Sequence, residues 1–127
     1  MFTISHIDHL VLTVKDIPTT VEFYARVLGM RAMQFGDHRT ALRFGQQKIN
    51  LHAAGNELEP KAKIPAPGSA DLCLITETEL DQAMAYVQTC KVEIIEGPVK
   101  RTGATGSLLS FYIRDPDYNL IEISNQI

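Results

Sequence analysis

The chain states one structural unit twice. The first copy opens on His9-Leu10-Val11-Leu12-Thr13-Val14, continues through a helix-like stretch, and closes in a hairpin ending Lys48-Ile49-Asn50-Leu51-His52. The second opens on Asp71-Leu72-Cys73-Leu74-Ile75-Thr76 and closes in a hairpin ending Asn119-Leu120-Ile121-Glu122-Ile123. Each copy begins with a metal-capable side chain on an apolar strand and ends with another near the close of its last strand. Packing alone does not require four such side chains at matched places.

Local signals fill in both copies. In the first, residues 7–14 are β-branched and aliphatic, which predicts a buried strand. Asp16 caps a helix with Pro18 in its first turn, Val21, Tyr24, Val27 and Leu28 keep helical spacing, and Gly29 ends it. Arg31 to Phe35 is a short strand, and a hairpin joins Thr40–Phe44 to Lys48–Ala53. In the second copy the pattern predicts a helix over Glu77–Cys90, a strand over Val92–Ile95 closed by Gly97-Pro98, and a flexible loop over 102–106. Strands over Leu108–Arg114 and Leu120–Ser124 follow, joined by an Asp115-Pro116-Asp117-Tyr118-Asn119 turn. Each copy therefore reads β-α-β-β-β. The fold class is α+β: two tandem modules, about 5–54 and 70–127, forming a curved mixed sheet with helices on its convex side. One domain of 127 residues results, its modules joined by a Pro-rich linker over 54–69.

Composition narrows the function. A formal charge of −3 gives no electrostatic case for nucleic acid, which needs clustered cations. No apolar run approaches the ~18 residues that span a bilayer, and the first residues lack the form of a secretion signal. Cys73 and Cys90 read as reduced thiols of a cytoplasmic protein and are too few for a structural zinc site.

Strand alternation sorts the polar positions. Lys48, Asn50 and His52 share one face, opposite Ile49 and Leu51; Leu120, Glu122 and Ser124 share another, opposite Ile121 and Ile123. The apolar faces pack on the helices, which leaves the polar faces for water or a cavity. Half-buried sheets alternate this way routinely. Two histidines and two carboxylates at matched places, however, form the donor set that borderline divalent metals accept. With neutral imidazoles, the set offsets the charge of a divalent ion and eases its burial. The expected donors are His9, His52, Asp71 and Glu122, with the shorter Asp71 alternatively orienting a histidine. Asp8 is expected on the opposite face from His9, and His6 and His38 at the surface. Lys48 and Arg101 are candidates to hold an anionic substrate group, with Asn50 and Tyr112 beside them. No nucleophile elbow, cysteine–base pair or phosphate loop is present.

The opening Ile7-Asp8-His9-Leu10-Val11-Leu12-Thr13-Val14, the helix end Phe23-Tyr24-Ala25-Arg26-Val27-Leu28-Gly29-Met30 and the close Arg114-Asp115-Pro116-Asp117-Tyr118-Asn119-Leu120-Ile121-Glu122 resemble the vicinal oxygen chelate superfamily. That superfamily includes glyoxalase I, bleomycin-resistance proteins, fosfomycin-resistance enzymes and extradiol dioxygenases. The stretches 41–52 and 68–73 are most similar to a glyoxalase-domain branch often labelled virulence-associated. The resemblance implies metal ligands on the first and last strands of each copy, at His9, His52, Asp71 and Glu122. It also implies a divalent nickel, zinc, manganese or iron ion, and a homodimer. Glyoxalase I typically has a carboxylate where this chain has His52 and a histidine where it has Asp71. The implied activity is a lactoylglutathione lyase-like reaction on a small α-keto or hemithioacetal substrate, a thiol adduct among the candidates, with Glu122 moving the proton. The alternatives are a non-catalytic protein binding a drug or metabolite, and a thiol transferase of the fosfomycin-resistance type.

Overall fold

The computed structural model describes residues 1–127 and contains the β-α-β-β-β unit in each of two compact units, Met1–Pro67 and Gly68–Ile127. Module 1 comprises β1 (His9–Val14), α1 (Ile17–Leu28), β2 (Arg31–Phe35), β3 (Arg39–Phe44) and β4 (Gln47–Ala53). Module 2 comprises β5 (Asp71–Ile75), α2 (Leu80–Thr89), β6 (Glu96–Thr102), β7 (Ser107–Arg114) and β8 (Leu120–Gln126). Each has a four-stranded mixed sheet, in the orders β1-β4-β3-β2 and β5-β8-β7-β6. The first strand of each module pairs parallel with the last, and the other pairs are antiparallel. The architecture is α+β.

In module 1, helix α1 forms where the capping residues place it. The Asp16 carboxylate accepts from Thr19 N at 2.9 Å, and Gly29 ends the helix at φ 67°. Such a cap contributes about 1 kcal/mol. Phe23, Tyr24 and Val27 are buried, with the two rings edge-on at 5.4 Å. Helix α1 packs against β2, β3 and β4. Leu12, Leu42, Ile49 and Leu51 are all buried on the sheet face opposite Asn50 and His52. In module 2 the corresponding core is Leu80, Val87, Phe111, Ile113, Ile121 and Ile123.

Two elements of module 2 differ from expectation. Helix α2 starts at Leu80, not Glu77. The Asn125 amide donates to both Thr76 O and Thr78 O at 2.9 Å, and Thr76 Oγ1 accepts from Thr78 N, which holds these residues in a turn. Residues 92–95 form no strand, and Gly97-Pro98 lies inside β6 rather than beyond a strand end. A Cβ on Gly97 would sit 2.6 Å from Phe111 Cβ, so only glycine lets the backbone run that close. The β6–β7 register slips between Glu96 and Val99, a β-bulge on an edge strand. Proline is tolerated there because no ladder bond is required of it.

Candidate functional site

In module 1 the ladder sets His9 opposite Lys48, Val11 opposite Asn50 and Thr13 opposite His52. These side chains share one face, because paired residues project to the same side. Burial deepens along it. His9 is 44% exposed, whereas Asn50 is 3% and His52 7% exposed. The polar face was expected to meet water or a cavity, and at Asn50 and His52 it is shut off from bulk water. Asn50 Oδ1 and His52 Nε2 are both buried and without a hydrogen-bond partner. Each such orphan typically costs about 1–3 kcal/mol. Both atoms lie on one face and are open to a further partner.

His9 has a partner that alternation misses. The Asp8 carboxylate meets His9 Nδ1 at 2.9 Å, rather than turning to the far face. That bond is the chief reason the Asp8 carboxyl is held below its usual range. With Nδ1 occupied, Nε2 is the nitrogen left to bind, the arrangement common in histidines that ligate metals. Asp8 precedes the first laddered residue, so no strand fixes its direction. Glu57, in the linker, accepts from Gly55 N at 2.8 Å, and its carboxyl is lowered by that bond first, with Lys61 and His52 adding to the effect.

In module 2, one row across the sheet reads Glu96, Tyr112, Glu122, Cys73. Glu122 stands between Tyr112 and Cys73. Ser124 Oγ donates to Glu122 Oε2 at 3.4 Å, pairs with the buried Ser110 Oγ at 2.7 Å, and lies 3.3 Å from Cys73 Sγ. Glu122 and Cys73 line a cavity of about 400 Å³ with Ile75, Leu108, Gln126, Arg101 and the turn at 102–105. Asp71 is opposite Leu120, two ladder positions from Cys73 and Glu122 and so on the same face.

Arg101 is already engaged. It donates from Nε to Tyr112 Oη at 2.9 Å, from Nη2 to Glu96 at 2.5 Å and from Nη1 to Lys100 O at 3.1 Å. A guanidinium offers only donors, so the phenol oxygen accepts from Arg101 and its proton is free to point elsewhere. Burial first, and then nearby Glu122, hold the Tyr112 phenol above its usual range despite the pull of Arg101, so it stays protonated.

The two ladders also show which positions correspond. Asp71, opposite Leu120, matches His9, opposite Lys48. Glu122, opposite Cys73, matches Asn50, opposite Val11; the counterpart of His52 is Ser124. The sequence pattern had paired Glu122 with His52, two residues too far along β4. His9 and His52 are four ladder positions apart, about 13 Å at the usual strand rise. No group of three or more His, Cys, Asp or Glu side chains is placed to hold an ion. Each module by itself carries only part of a ligand set.

Residues 6–123 match the Glyoxalase/Bleomycin resistance protein/Dioxygenase superfamily. The chain belongs to that superfamily. Among its relatives, the virulence protein STM3117 of Salmonella typhimurium is 57% identical, over 98% of this chain and 86% of that protein. The glyoxalase domain-containing protein RDO1 of Mycosarcoma maydis is 52% identical, over 97% of this chain and 69% of that protein. An integron cassette protein from the mobile metagenome of V. cholerae superposes with a TM-score of 0.97 at 63% identity, over 98% of each chain. The glyoxalase-superfamily fold and the virulence-labelled branch read from the sequence are both met in these relatives.

Proposed function

We propose that this superfamily member is a metal-dependent lyase or isomerase of glyoxalase type, acting in the cytoplasm as a homodimer on a small α-keto or hemithioacetal substrate, in some cases a thiol adduct. The observation that carries the reading is the pair of buried, partnerless donors on β4, Asn50 Oδ1 and His52 Nε2, on the same face as His9. Module 2 supports it with Asp71 and Glu122. The proposed donors are His9, Asp71 and Glu122, together with a β4 side chain: His52 as the sequence has it, or Asn50 as the register has it. Imidazole, carboxylate and amide oxygen suit nickel, zinc, manganese or iron. Neither module's acidic, thiol and imidazole side chains are placed to hold an ion by themselves, and we assign completion of the ligand set to a second copy.

A bound divalent ion would supply Lewis-acid polarisation of two adjacent substrate oxygens. The rest falls to the chain. Glu122 takes a proton from one carbon and returns it to its neighbour, the work of a positioned general base. Ser124 donates to that carboxylate, and Tyr112 stands opposite Glu122 in the ladder. Arg101, neutralised by Glu96, serves by orienting the Tyr112 hydroxyl rather than as a free anion clamp. Ile75 and Leu108 give the cavity an apolar lining against which the substrate's carbons can rest.

Calorimetric titration with Ni²⁺, Zn²⁺ and Mn²⁺ tests the reading. Stoichiometric binding is expected, weakened by His9→Ala and by one of Asn50→Ala and His52→Ala, which identifies the β4 donor. Glu122→Gln should lower turnover of a methylglyoxal–thiol adduct by about 10²-fold or more. Absence of stoichiometric ion binding overturns the proposal and leaves non-catalytic capture of a small molecule as the reading to pursue.

A further inference from the structure

Across the sheet of module 1, a second row on the face of His9 is cationic. From β2 to β1 it reads Arg31, Arg43, Lys48, His9, each directly opposite the next. Neighbouring strands are about 4.8 Å apart, so the backbones of three cationic residues stand abreast within about 10 Å. Like charges directly opposite one another destabilise a sheet. Neither Arg31 nor Arg43 has a carboxylate partner. Lys48 lies 3.6 Å over the Phe35 ring, and Asp8 is close enough for its charge to feel Lys48.

The duplicated module acts as an internal control. The corresponding row of module 2 has Arg114 for Arg43, Leu120 for Lys48 and Asp71 for His9, with no laddered residue at the place of Arg31. Arg114 donates to its own turn at Tyr118 O. The fold therefore does not require three cations abreast. They are a local conflict in a chain of net charge −3, and such conflicts belong to functional sites. Arg43, Lys48 and Asp8 line a cavity of about 260 Å³ with Met33, Gln46 and Gln47.

We propose that this row is an anion-binding site and that the substrate is a small molecule carrying a carboxylate or phosphoryl group. Arginine's planar fork suits either group in two-point contact. Lys48 is one strand and Arg43 two strands from His9, about 5 and 10 Å. That identification of the anion as substrate rests on the lyase reading; the binding itself does not.

The test uses the full chain, metal-free, titrated with pyruvate and with inorganic phosphate and followed by amide chemical shifts. Both expected outcomes concern β3 and β4: their resonances move with at least one probe, and the tighter probe names the group. Arg43→Gln and Lys48→Gln should each weaken binding about tenfold, whereas Arg114→Gln, the counterpart in module 2, changes it less than twofold. The thermal midpoint of Arg43→Gln should be unchanged or higher, since repulsion in the row is relieved. Failure of both probes, equal losses in all three variants, or a midpoint lowered by several degrees overturns the proposal. Nickel titration of the same proteins separates the two readings. Arg43→Gln is expected to bind the ion normally, and a wild-type chain that binds anion but no metal refutes only the lyase.

Discussion

Cys73 faces Glu122 across the ladder, with its sulphur 3.3 Å from Ser124 Oγ. Burial of the sulphur raises its pKa, and the neighbouring Glu122 charge adds to the effect. The thiol is therefore the stable form at neutral pH, although the residue reaches the surface. Iodoacetamide labelling of Cys73, followed by peptide mass, should rise steeply only above the ordinary thiol range; prompt labelling at pH 7 would contradict this environment. Asp8 offers a second test. Asp8→Asn removes the charged acceptor that fixes His9 Nδ1, and metal affinity should fall about tenfold by calorimetry. Of these residues, Glu122 and His9 were legible because they interrupt apolar strands. Asp8 and the match between Asn50 and Glu122 were not. The first lies outside the ladder, and the second depends on a register that strand alternation leaves undetermined by any even shift.

At the level of elements, the Asp115–Asn119 turn joins β7 to β8. Asp115 Oδ1 accepts from Asp117 N at 2.9 Å and Asn119 N at 3.0 Å, and Asp115 Oδ2 accepts from the Asn119 amide at 2.8 Å. Tyr118 is left at φ 66°, with 73% of its surface exposed. A non-glycine side chain in that region costs about 1–2 kcal/mol. Tyr118→Gly should accordingly stabilise the protein by roughly 1 kcal/mol, less a little for glycine's greater unfolded freedom, measured as a higher urea midpoint with an unchanged slope. The opposite sign would show that the exposed ring contributes contacts. Helix α1 was readable because Asp16, Pro18 and Gly29 mark both ends. Helix α2 was misread at its start because Glu79 makes no side-chain cap, and the bonds that unwind residues 76–78 come from Asn125, far along the chain. Strand β6 was misread because Gly and Pro ordinarily end strands, and here the packing of Gly97 on Phe111 overrides that habit.

The two copies have diverged in charge over the whole molecule. Eight of the 12 Lys and Arg residues fall in Met1–Pro67, and nine of the 15 Asp and Glu residues in Gly68–Ile127. No helix is long and apolar enough to cross a membrane. If the proposed site binds nickel only in the native state, an excess 100-fold over the dissociation constant should add about 2.7 kcal/mol of stability, readable as a higher thermal midpoint. An unmoved midpoint would show that the ion does not select the native chain. The duplicated pattern was visible at this scale from the outset, but the divergence of the copies was not, because a single residue carries much of it. Glu96 and Arg101 are five positions apart, so strict alternation would send them to opposite sides of β6. The bulge between Glu96 and Val99 changes that parity and lets the acid reach the guanidinium. The corresponding β2–β3 pairing runs without a slip, and its arginines keep their charge uncompensated. One extra backbone residue thus makes one copy's cation internal wiring and leaves the other copy's cations available to a ligand.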